Sequence, residues 1–241
     1  MLGEIRNAQG ELLDYAFHPG TTNSQNIVVI GHGVTGNKDR PFVVALAAAL
    51  EQAGITTLRF SFSGNGDSAG SFTDSTISKE VEDLGAILDA LSDHTVCYIG
   101  HSMGGAVGVM RASTDPRIKY LVSLAGMVHT AKFAAVEFGD ATPDAGFMWD
   151  EEDCPLSQKY VDDMNQIDSV VELGTQVRVP WLLVHGSEDD VVPIEESHDI
   201  IAKANQPNEL FVIEGSNHVF SEHTEVMVEK VVAWVREQFG T

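Results

Sequence analysis

Short apolar runs and longer amphipathic stretches alternate along most of the chain. The apolar runs predict strands at residues 27–30, 56–62, 96–99, 120–124, 181–184 and 210–213. Apolar residues at helical spacing predict helices at about 41–52, 75–91, 195–204 and 226–239, with a further helix that starts in the small residues 104–108. Since strands and helices alternate, we predict an α/β fold with a mostly parallel sheet that helices cover on both faces.

Two segments depart from this alternation. At the start, segments 3–6 and 11–17 flank the turn-forming residues 7–10 and predict a β-hairpin. The interval from about 127 to 179 is too long for one crossover, so we interpret it as a cap inserted over an active site within a single domain of residues 1–241. Each large apolar residue of this insert is expected to pack onto the sheet, while the group is expected to include some pocket lining: Phe133, Phe138, Phe147, Met148 and Trp149.

Ser102 is the most informative residue of the chain. It is the centre of a Gly-x-Ser-x-Gly motif with Gly100 and Gly104, and it lies between an apolar run and a run of small residues. In a nucleophile elbow the serine occupies a tight strand-to-helix turn, in a conformation for which only flanking glycines leave room. The helix N-terminus and the amide of Met103 would face a carbonyl oxygen that becomes negative. Ser102 is therefore predicted to be an acyl-transfer nucleophile.

The same motif occurs a second time, around Ser68. A polar turn at 63–65 precedes it, and residues 71–74 after it are typical of a loop. We therefore assign Ser68 to a loop.

A serine hydroxyl needs a histidine to take its proton, and that histidine needs a carboxylate to hold it. Asp189 lies in the polar turn that follows the strand 181–184, and His218 follows the strand 210–213. Open α/β sheets gather their reacting groups at the carboxyl ends of the strands. We predict Asp189 as the acid of a triad and His218 as its base.

In the order and context of these motifs, the chain resembles the α/β-hydrolase family over its whole length. The family's acid falls on Asp189 in Gly-x-x-Asp-x-x-Val-Pro, and its histidine falls on His218 in Gly-x-x-His. Residues 31–38 are similar to the family's oxyanion loop. The resemblance implies that the backbone amide of Val34 acts together with that of Met103 in an oxyanion hole.

Neighbouring residues compete for the same roles. Glu188 and Asp190 flank the predicted acid. His101 adjoins the nucleophile on the wrong side of the chain to be its base, and His223 lies in a polar run that is expected to face solvent. His32 is expected to brace the oxyanion loop rather than to transfer protons.

Within the family, the sequence is similar to the cinnamoyl and feruloyl esterase-like branch of small carboxylesterases. The similarity lies in His-Gly-x-Thr-Gly-Asn-Lys at 32–38 and in residues 58–70. Val34 stands where that branch often carries an aromatic residue, and Asn65 stands where a histidine is usual. The resemblance implies ester hydrolysis through an acyl-enzyme on small to medium esters, with no cofactor and no metal.

Other functions are compatible with the same residues. The triad could cleave amides or peptides or transfer an acyl group to an acceptor other than water, and a non-catalytic ligand-binding protein of the same fold is an alternative of another class. A phosphate loop at 31–38 is disfavoured because no serine or threonine follows the lysine for magnesium. The cluster 64–70 lacks dinucleotide-binding spacing, and the nine histidines form no metal-ligand motif.

Composition limits the possible binding partners and the expected cellular location. The 14 basic and 36 acidic residues give a formal charge of −22, which argues against nucleic acid as a partner. No run approaches the roughly 20 apolar residues of a membrane span, and no apolar stretch follows a basic start, so we predict a cytoplasmic protein. The two cysteines, Cys97 and Cys154, predict neither a disulfide scaffold nor a structural zinc site. A small-molecule ester is the expected partner, in a monomer or a homodimer.

Overall fold

The computed structural model describes residues 2–21, 25–205 and 208–241. A small two-stranded sheet precedes the main sheet. Within the described residues the strands are β1 (Ile5–Arg6), β2 (Leu12–Leu13), β3 (Tyr15–His18), β4 (Asn26–Gly31), β5 (Thr57–Phe60), β6 (Thr95–His101), β7 (Ile118–Leu124), β8 (Trp181–Gly186) and β9 (Asn208–Ile213). The helices are α1 (Pro41–Gln52), α2 (Ile77–Ala90), α3 (Met103–Ala112), α4 (Thr130–Glu137), α5 (Gln158–Ile167), α6 (Glu195–Ile201) and α7 (Thr224–Phe239).

The main sheet has the strand order β3-β5-β4-β6-β7-β8-β9. Strand β3 pairs antiparallel with β5, while the pairs from β5 to β9 are parallel. This confirms the predicted mostly parallel sheet. The parallel strands end at one edge, so the residues that follow them are brought near one another.

Helices cover both faces of this sheet, as predicted. Side chains along a strand point alternately to opposite faces, and in β4 Ile27 and Val29 belong to one core while Val28 and Ile30 belong to the other. Helices α2 and α3 pack in the first core, and α1 and α7 pack in the second. Full burial of each such valine or isoleucine stabilises the fold by about 1.5–3 kcal/mol.

The opening hairpin differs from the prediction. Its second arm divides at Asp14, because the residues before it pair with β1 whereas β3 after it joins the main sheet. The N–H of Asp14 donates to Ser68 Oγ at 2.8 Å, and the Ser68 hydroxyl donates to the carbonyl of Ser61 at 2.7 Å. Ser68 lies in a loop, as predicted, and its hydroxyl supports the backbone at this division.

The helix boundaries follow local signals. Helix α1 begins at Pro41 and ends at Gln52, close to Gly54, whose φ of +81° few other residues adopt. Helix α2 begins two residues later than predicted because the hydroxyl of Thr76 caps it, accepting a hydrogen bond from the Lys79 amide. In the part of the chain that the structure describes, no helix is both long and apolar enough to cross a membrane.

The segment between β7 and β8 carries α4, α5 and two short 3₁₀ turns. Phe133, Phe138 and Met148 are buried in the first core, as expected of residues that pack an insert. Trp149 stacks edge-on against Phe138 with ring centroids 5.1 Å apart, and it remains 39% exposed. Trp149 therefore has a free surface while its position is held by the aromatic cluster.

Candidate active site

Ser102 lies on the turn between β6 and α3. Its backbone has φ +53° and ψ −120°, which is strained for any residue with a side chain. Two hydrogen bonds hold this conformation: the Ser102 amide donates to the carbonyl of Leu124 at 2.9 Å, and its carbonyl accepts from the amide of Met127 at 3.0 Å. The turn is therefore tied to the end of β7 and to the start of the insert.

The glycines two places before and after Ser102 are required by close contact. A Cβ on Gly100 would lie 2.0 Å from the carbonyl oxygen of Gly104, and a Cβ on Gly104 would lie 2.6 Å from that of His32. Both contacts are with backbone atoms, which cannot move aside as a side chain can. The Gly-x-Ser-x-Gly pattern at this turn thus follows from packing.

The Asp189 side chain is fully buried and receives four polar contacts, two on each carboxylate oxygen. Oδ1 accepts hydrogen bonds from the amides of Val191 and Val192 at 3.0 and 2.8 Å, and Oδ2 accepts from His218 Nδ1 at 2.8 Å. Since a carboxylate can only accept, His218 Nδ1 carries a proton and Nε2 is left as the basic nitrogen. The competing carboxylates on either side of Asp189 in the sequence are both exposed: Glu188 and Asp190.

A second histidine contacts Asp189, and the sequence analysis did not single it out. His185 Nε2 lies 3.3 Å from Asp189 Oδ2 and 2.8 Å from the carbonyl of Val192, while its Nδ1 lies 2.7 Å from Ser197 Oγ. Both neighbours of Nε2 are acceptors, so Nε2 carries the proton and Ser197 donates to Nδ1. The one sequence signal is its place at the end of a strand, directly before the motif of the acid.

These contacts decide the charge of the carboxylate. Burial by itself would raise the pKa of Asp189, but the hydrogen bonds from His185 and His218 outweigh burial and hold that pKa well below its ordinary value. Asp189 is therefore ionised at neutral pH, with its carboxylate against the protonated Nδ1 of His218.

The two competing histidines are placed differently. His101 is buried with its ring 4.7 Å from that of His218, and its Nε2 is 3.0 Å from the His218 carbonyl. Burial lowers the pKa of His101 to about 3, so this ring is neutral and supports the backbone of His218. His223 is half-buried just before α7, rather than fully exposed to solvent as expected.

The loop after β4 is braced by His32, which is buried. His32 Nδ1 lies 2.8 Å from the Gly33 carbonyl, and Nε2 accepts a hydrogen bond from the amide of Phe62 at 3.0 Å. Nδ1 therefore carries the proton of a neutral ring, in keeping with burial that lowers the pKa of His32 to about 4. Thr35, further along this loop, has a positive φ of 53°.

The predicted oxyanion donors, Val34 and Met103, are both available. Met103 is the first residue of α3, where a helix has N–H groups without helical partners and a partial positive charge. Among the hydrogen bonds of the described residues, none uses the N–H of Val34 or that of Met103. Val34 lines the same cleft as Ser102, and Met103 directly follows Ser102 in the chain.

Ser102 and His218 line one cleft of about 300 Å³. Val34 and Trp149 line it too, so that the oxyanion loop and the insert both contribute to its wall. No hydrogen bond joins Ser102 Oγ to His218 in the described structure, and such bonds commonly form only when substrate is bound. The cleft is lined by His32, Gly33, Val34, Thr35, Gly36, Arg40, Phe42, His101, Ser102, Trp149, Glu151, Val191, His218 and Val219.

The cysteines lie outside this cleft and are both free and buried. Burial raises the pKa of Cys154 to about 11 and raises that of the Cys97 thiol further, so neither is a thiolate at neutral pH. Over the described ranges, no group of three or more His, Cys, Asp and Glu side chains is arranged to hold a metal ion.

The fold and this cleft define an α/β hydrolase. Residues 26–171 match the family model of the alpha/beta hydrolase fold, and the chain belongs to this family. The resemblance drawn from the sequence motifs is confirmed, as is the fold class.

Individual relatives include esterases and thioesterases. The ferulic-acid complex of Est1E from Butyrivibrio proteoclasticus superposes with a TM-score of 0.88 and 26% identity, covering 99% of this chain and 100% of that one. Alpha/beta hydrolase domain-containing protein 10 from mouse has the same fold, with a TM-score of 0.80, 18% identity and 99% coverage of both chains. The mitochondrial palmitoyl-protein thioesterase ABHD10 of Bos taurus is 24% identical over 81% of this chain and 68% of its own length. These relatives support a hydrolase activity.

Proposed function

We propose that the protein is a serine carboxylic-ester hydrolase. The observation that carries this proposal is the 2.8 Å hydrogen bond between His218 Nδ1 and Asp189 Oδ2, which leaves Nε2 of a cleft-lining histidine free as a base. Ser102 lines the same cleft on a strained turn. A buried carboxylate, an oriented imidazole and a serine hydroxyl that lines the cleft are the groups that acyl transfer requires.

The mechanism is a two-step transfer through an acyl-enzyme. His218 Nε2 takes the proton from Ser102 Oγ as that oxygen attacks the ester carbonyl, and Asp189 stabilises the imidazolium. The amides of Val34 and Met103 donate to the oxyanion. His218 then gives the proton to the leaving alcohol, and a water molecule attacks the acyl-enzyme in the same way to release the acid.

The cleft favours small to medium esters. A volume of about 300 Å³ is at the lower end of the range for small-molecule sites, and Trp149, Phe42 and Val219 provide apolar walls. Est1E, which is similar over its whole length, binds ferulic acid, so hydroxycinnamate esters are among the substrates to test. Thioester hydrolysis is a second candidate because a relative is a palmitoyl-protein thioesterase.

The test is a substrate panel with matched serine variants. Nitrophenyl esters of increasing acyl length, methyl ferulate and a palmitoyl thioester would be assayed with the unmodified protein and with Ser102→Ala. We expect turnover that falls by at least about 10³-fold in Ser102→Ala, since the nucleophile is removed. Ser68→Ala removes the serine of the second Gly-x-Ser-x-Gly motif and is expected to retain turnover.

The outcomes separate the alternatives. Turnover that persists in Ser102→Ala would remove the serine mechanism. If amides rather than esters are cleaved, or if acyl groups pass to added alcohols in preference to water, the triad serves an amidase or an acyltransferase. The proposed cytoplasmic location would be checked separately by cell fractionation.

A further inference from the structure

Arg40 lies at the N-terminus of α1 and lines the cleft that holds Ser102 and His218. One of its guanidinium nitrogens donates to the carbonyl of Thr35 at 3.1 Å. A guanidinium has five N–H donors, so four remain for another partner. Since the side chain is exposed at the cleft, these donors are accessible to a bound molecule.

No carboxylate of the described protein lies within 4.0 Å of this guanidinium, although acidic residues outnumber basic ones by 36 to 14. Over residues 2–21, 25–205 and 208–241, ion pairs with N···O distances within 4.0 Å involve nine of the 14 basic side chains: Arg6, Lys38, Arg59, Lys79, Arg111, Arg117, Lys159, Lys203 and Lys230. Arg40 is not among them, and within the described parts of the chain it is the one Lys or Arg side chain that lines the cleft.

The electrostatic environment of the cleft makes this cation effective. Among the described residues, Glu151 of the insert is the one carboxylate that lines the cleft, and no ion pair within 4.0 Å joins it to Arg40. Burial is the main cause of the low pKa of His32, and the nearby charge of Arg40 contributes in the same direction. On a strongly acidic surface, a lone cation beside the reacting groups gives a local attraction for an anion.

We infer that the substrate is an ester that also carries a carboxylate, and that Arg40 binds that carboxylate. This inference rests on the proposed esterase function and narrows its substrate class. A planar guanidinium with parallel N–H groups matches a carboxylate in two hydrogen bonds, which an ammonium group cannot reproduce. Arg40 thus determines substrate specificity. This role is separate from the support that its hydrogen bond gives to the loop.

The test compares esters that differ only in a carboxylate and a carboxamide. One pair places the group on the alcohol side: 4-carboxyphenyl butanoate and 4-carbamoylphenyl butanoate. The other places it on the acyl side: the 4-nitrophenyl half-ester of adipic acid and its terminal amide. The readout is the ratio of kcat/KM for the acid over the amide within each pair, because a general disturbance of the loop changes both members equally.

We expect Arg40→Gln to lower this ratio about tenfold for at least one pair, and Arg40→Lys to restore part of it. Glu151→Gln is expected to raise the ratio, since it removes the opposing charge. Arg178→Gln is the matched control, because Arg178 is also exposed and has no ion pair with a described residue, but it lines a different surface pocket. Added salt should lower the ratio for the unmodified protein and leave that of Arg40→Gln nearly unchanged.

A ratio that stays within twofold for both pairs in Arg40→Gln would overturn the inference while leaving ester hydrolysis intact. Failure of the proposed function would show itself as no turnover of any ester. In that case the same four esters would be titrated calorimetrically against Ser102→Ala and against the double variant with Arg40→Gln. Tighter binding of the acids that depends on Arg40 would still support the inference, and equal binding of acids and amides would refute it.

Discussion

The hydrogen bonds of Asp189 allow the effect of Asp189→Asn to be worked out. Oδ1 accepts from the two amides of Val191 and Val192, so the oxygen of the new amide must stay on that side, where two N–H donors face it. The new NH₂ group is then directed at His218 Nδ1, which must accept rather than donate. His218 would be held in the tautomer with its proton on Nε2, the nitrogen that should receive the proton of Ser102.

The expected magnitude is a loss of about 10³- to 10⁴-fold in kcat, or roughly 4–5.5 kcal/mol in transition-state free energy, with little change in shape. The assay is hydrolysis of a short nitrophenyl ester at neutral pH, with thermal unfolding as a check on the fold. Glu188→Gln and Asp190→Asn are the matched controls, because both carboxylates are exposed next to Asp189. If the rate of Asp189→Asn stays within tenfold of the unmodified rate, or if either control loses as much, Asp189 does not orient His218 as described.

Three further predictions concern groups around the site. His185→Gln is expected to lower kcat and to destabilise the fold by about 1–3 kcal/mol, because Asp189 Oδ2 and Ser197 Oγ lose a partner; urea unfolding and ester kinetics check this, and unchanged values would contradict it. Gly100→Ala is expected to lower the free energy of unfolding by at least about 1–3 kcal/mol, since its Cβ would lie 2.0 Å from a backbone oxygen. Gly3 has open space around it, so Gly3→Ala is the control and should leave the stability nearly unchanged in the same urea experiment. Burial, and to a smaller extent the charge of Asp83, raises the pKa of Glu80. The folded protein therefore holds the Glu80 proton more tightly than the unfolded chain does, so the stability that Glu80 contributes is present below the ordinary glutamate pKa and is lost as pH rises. The difference in unfolding free energy between Glu80→Gln and the unmodified protein should therefore shift in favour of the variant by more than about 1 kcal/mol between pH 4.5 and pH 8. A difference that does not grow with pH would contradict a raised pKa for Glu80.

The alternation of the fold was predictable because its inner parallel strands are buried on both faces. Such strands are uninterrupted apolar runs, and the runs at 96–99 and 181–184 lie within β6 and β8. The prediction of one long arm at 11–17 was wrong, since the division at Asp14 depends on a hydrogen bond to Ser68, 54 residues away. Local pattern carries no information about such a contact.

The candidate site also contains residues that the sequence could predict and residues that it could not. Ser102, Asp189 and His218 stand in short motifs whose glycines and turns are local, so their positions could be predicted and their roles proposed. His185 contacts Asp189 only because the turn after β8 folds back over the strand end, and Ser197 reaches it from α6. Arg40 has no motif of its own, and its importance lies in sharing a cleft with residues about 60 and 180 positions away. These contacts are tertiary and become visible only in the structure.

Covalent labelling would identify the nucleophile of the cleft. The protein would be treated with a serine-directed phosphonate, and the adduct would be counted by intact mass and located by peptide mass spectrometry, with Ser102→Ala and Ser68→Ala alongside. We predict one adduct per chain on Ser102, lost together with ester turnover in Ser102→Ala and retained in Ser68→Ala. An adduct on another residue, or ester turnover that persists at the unmodified rate in Ser102→Ala, would contradict the account.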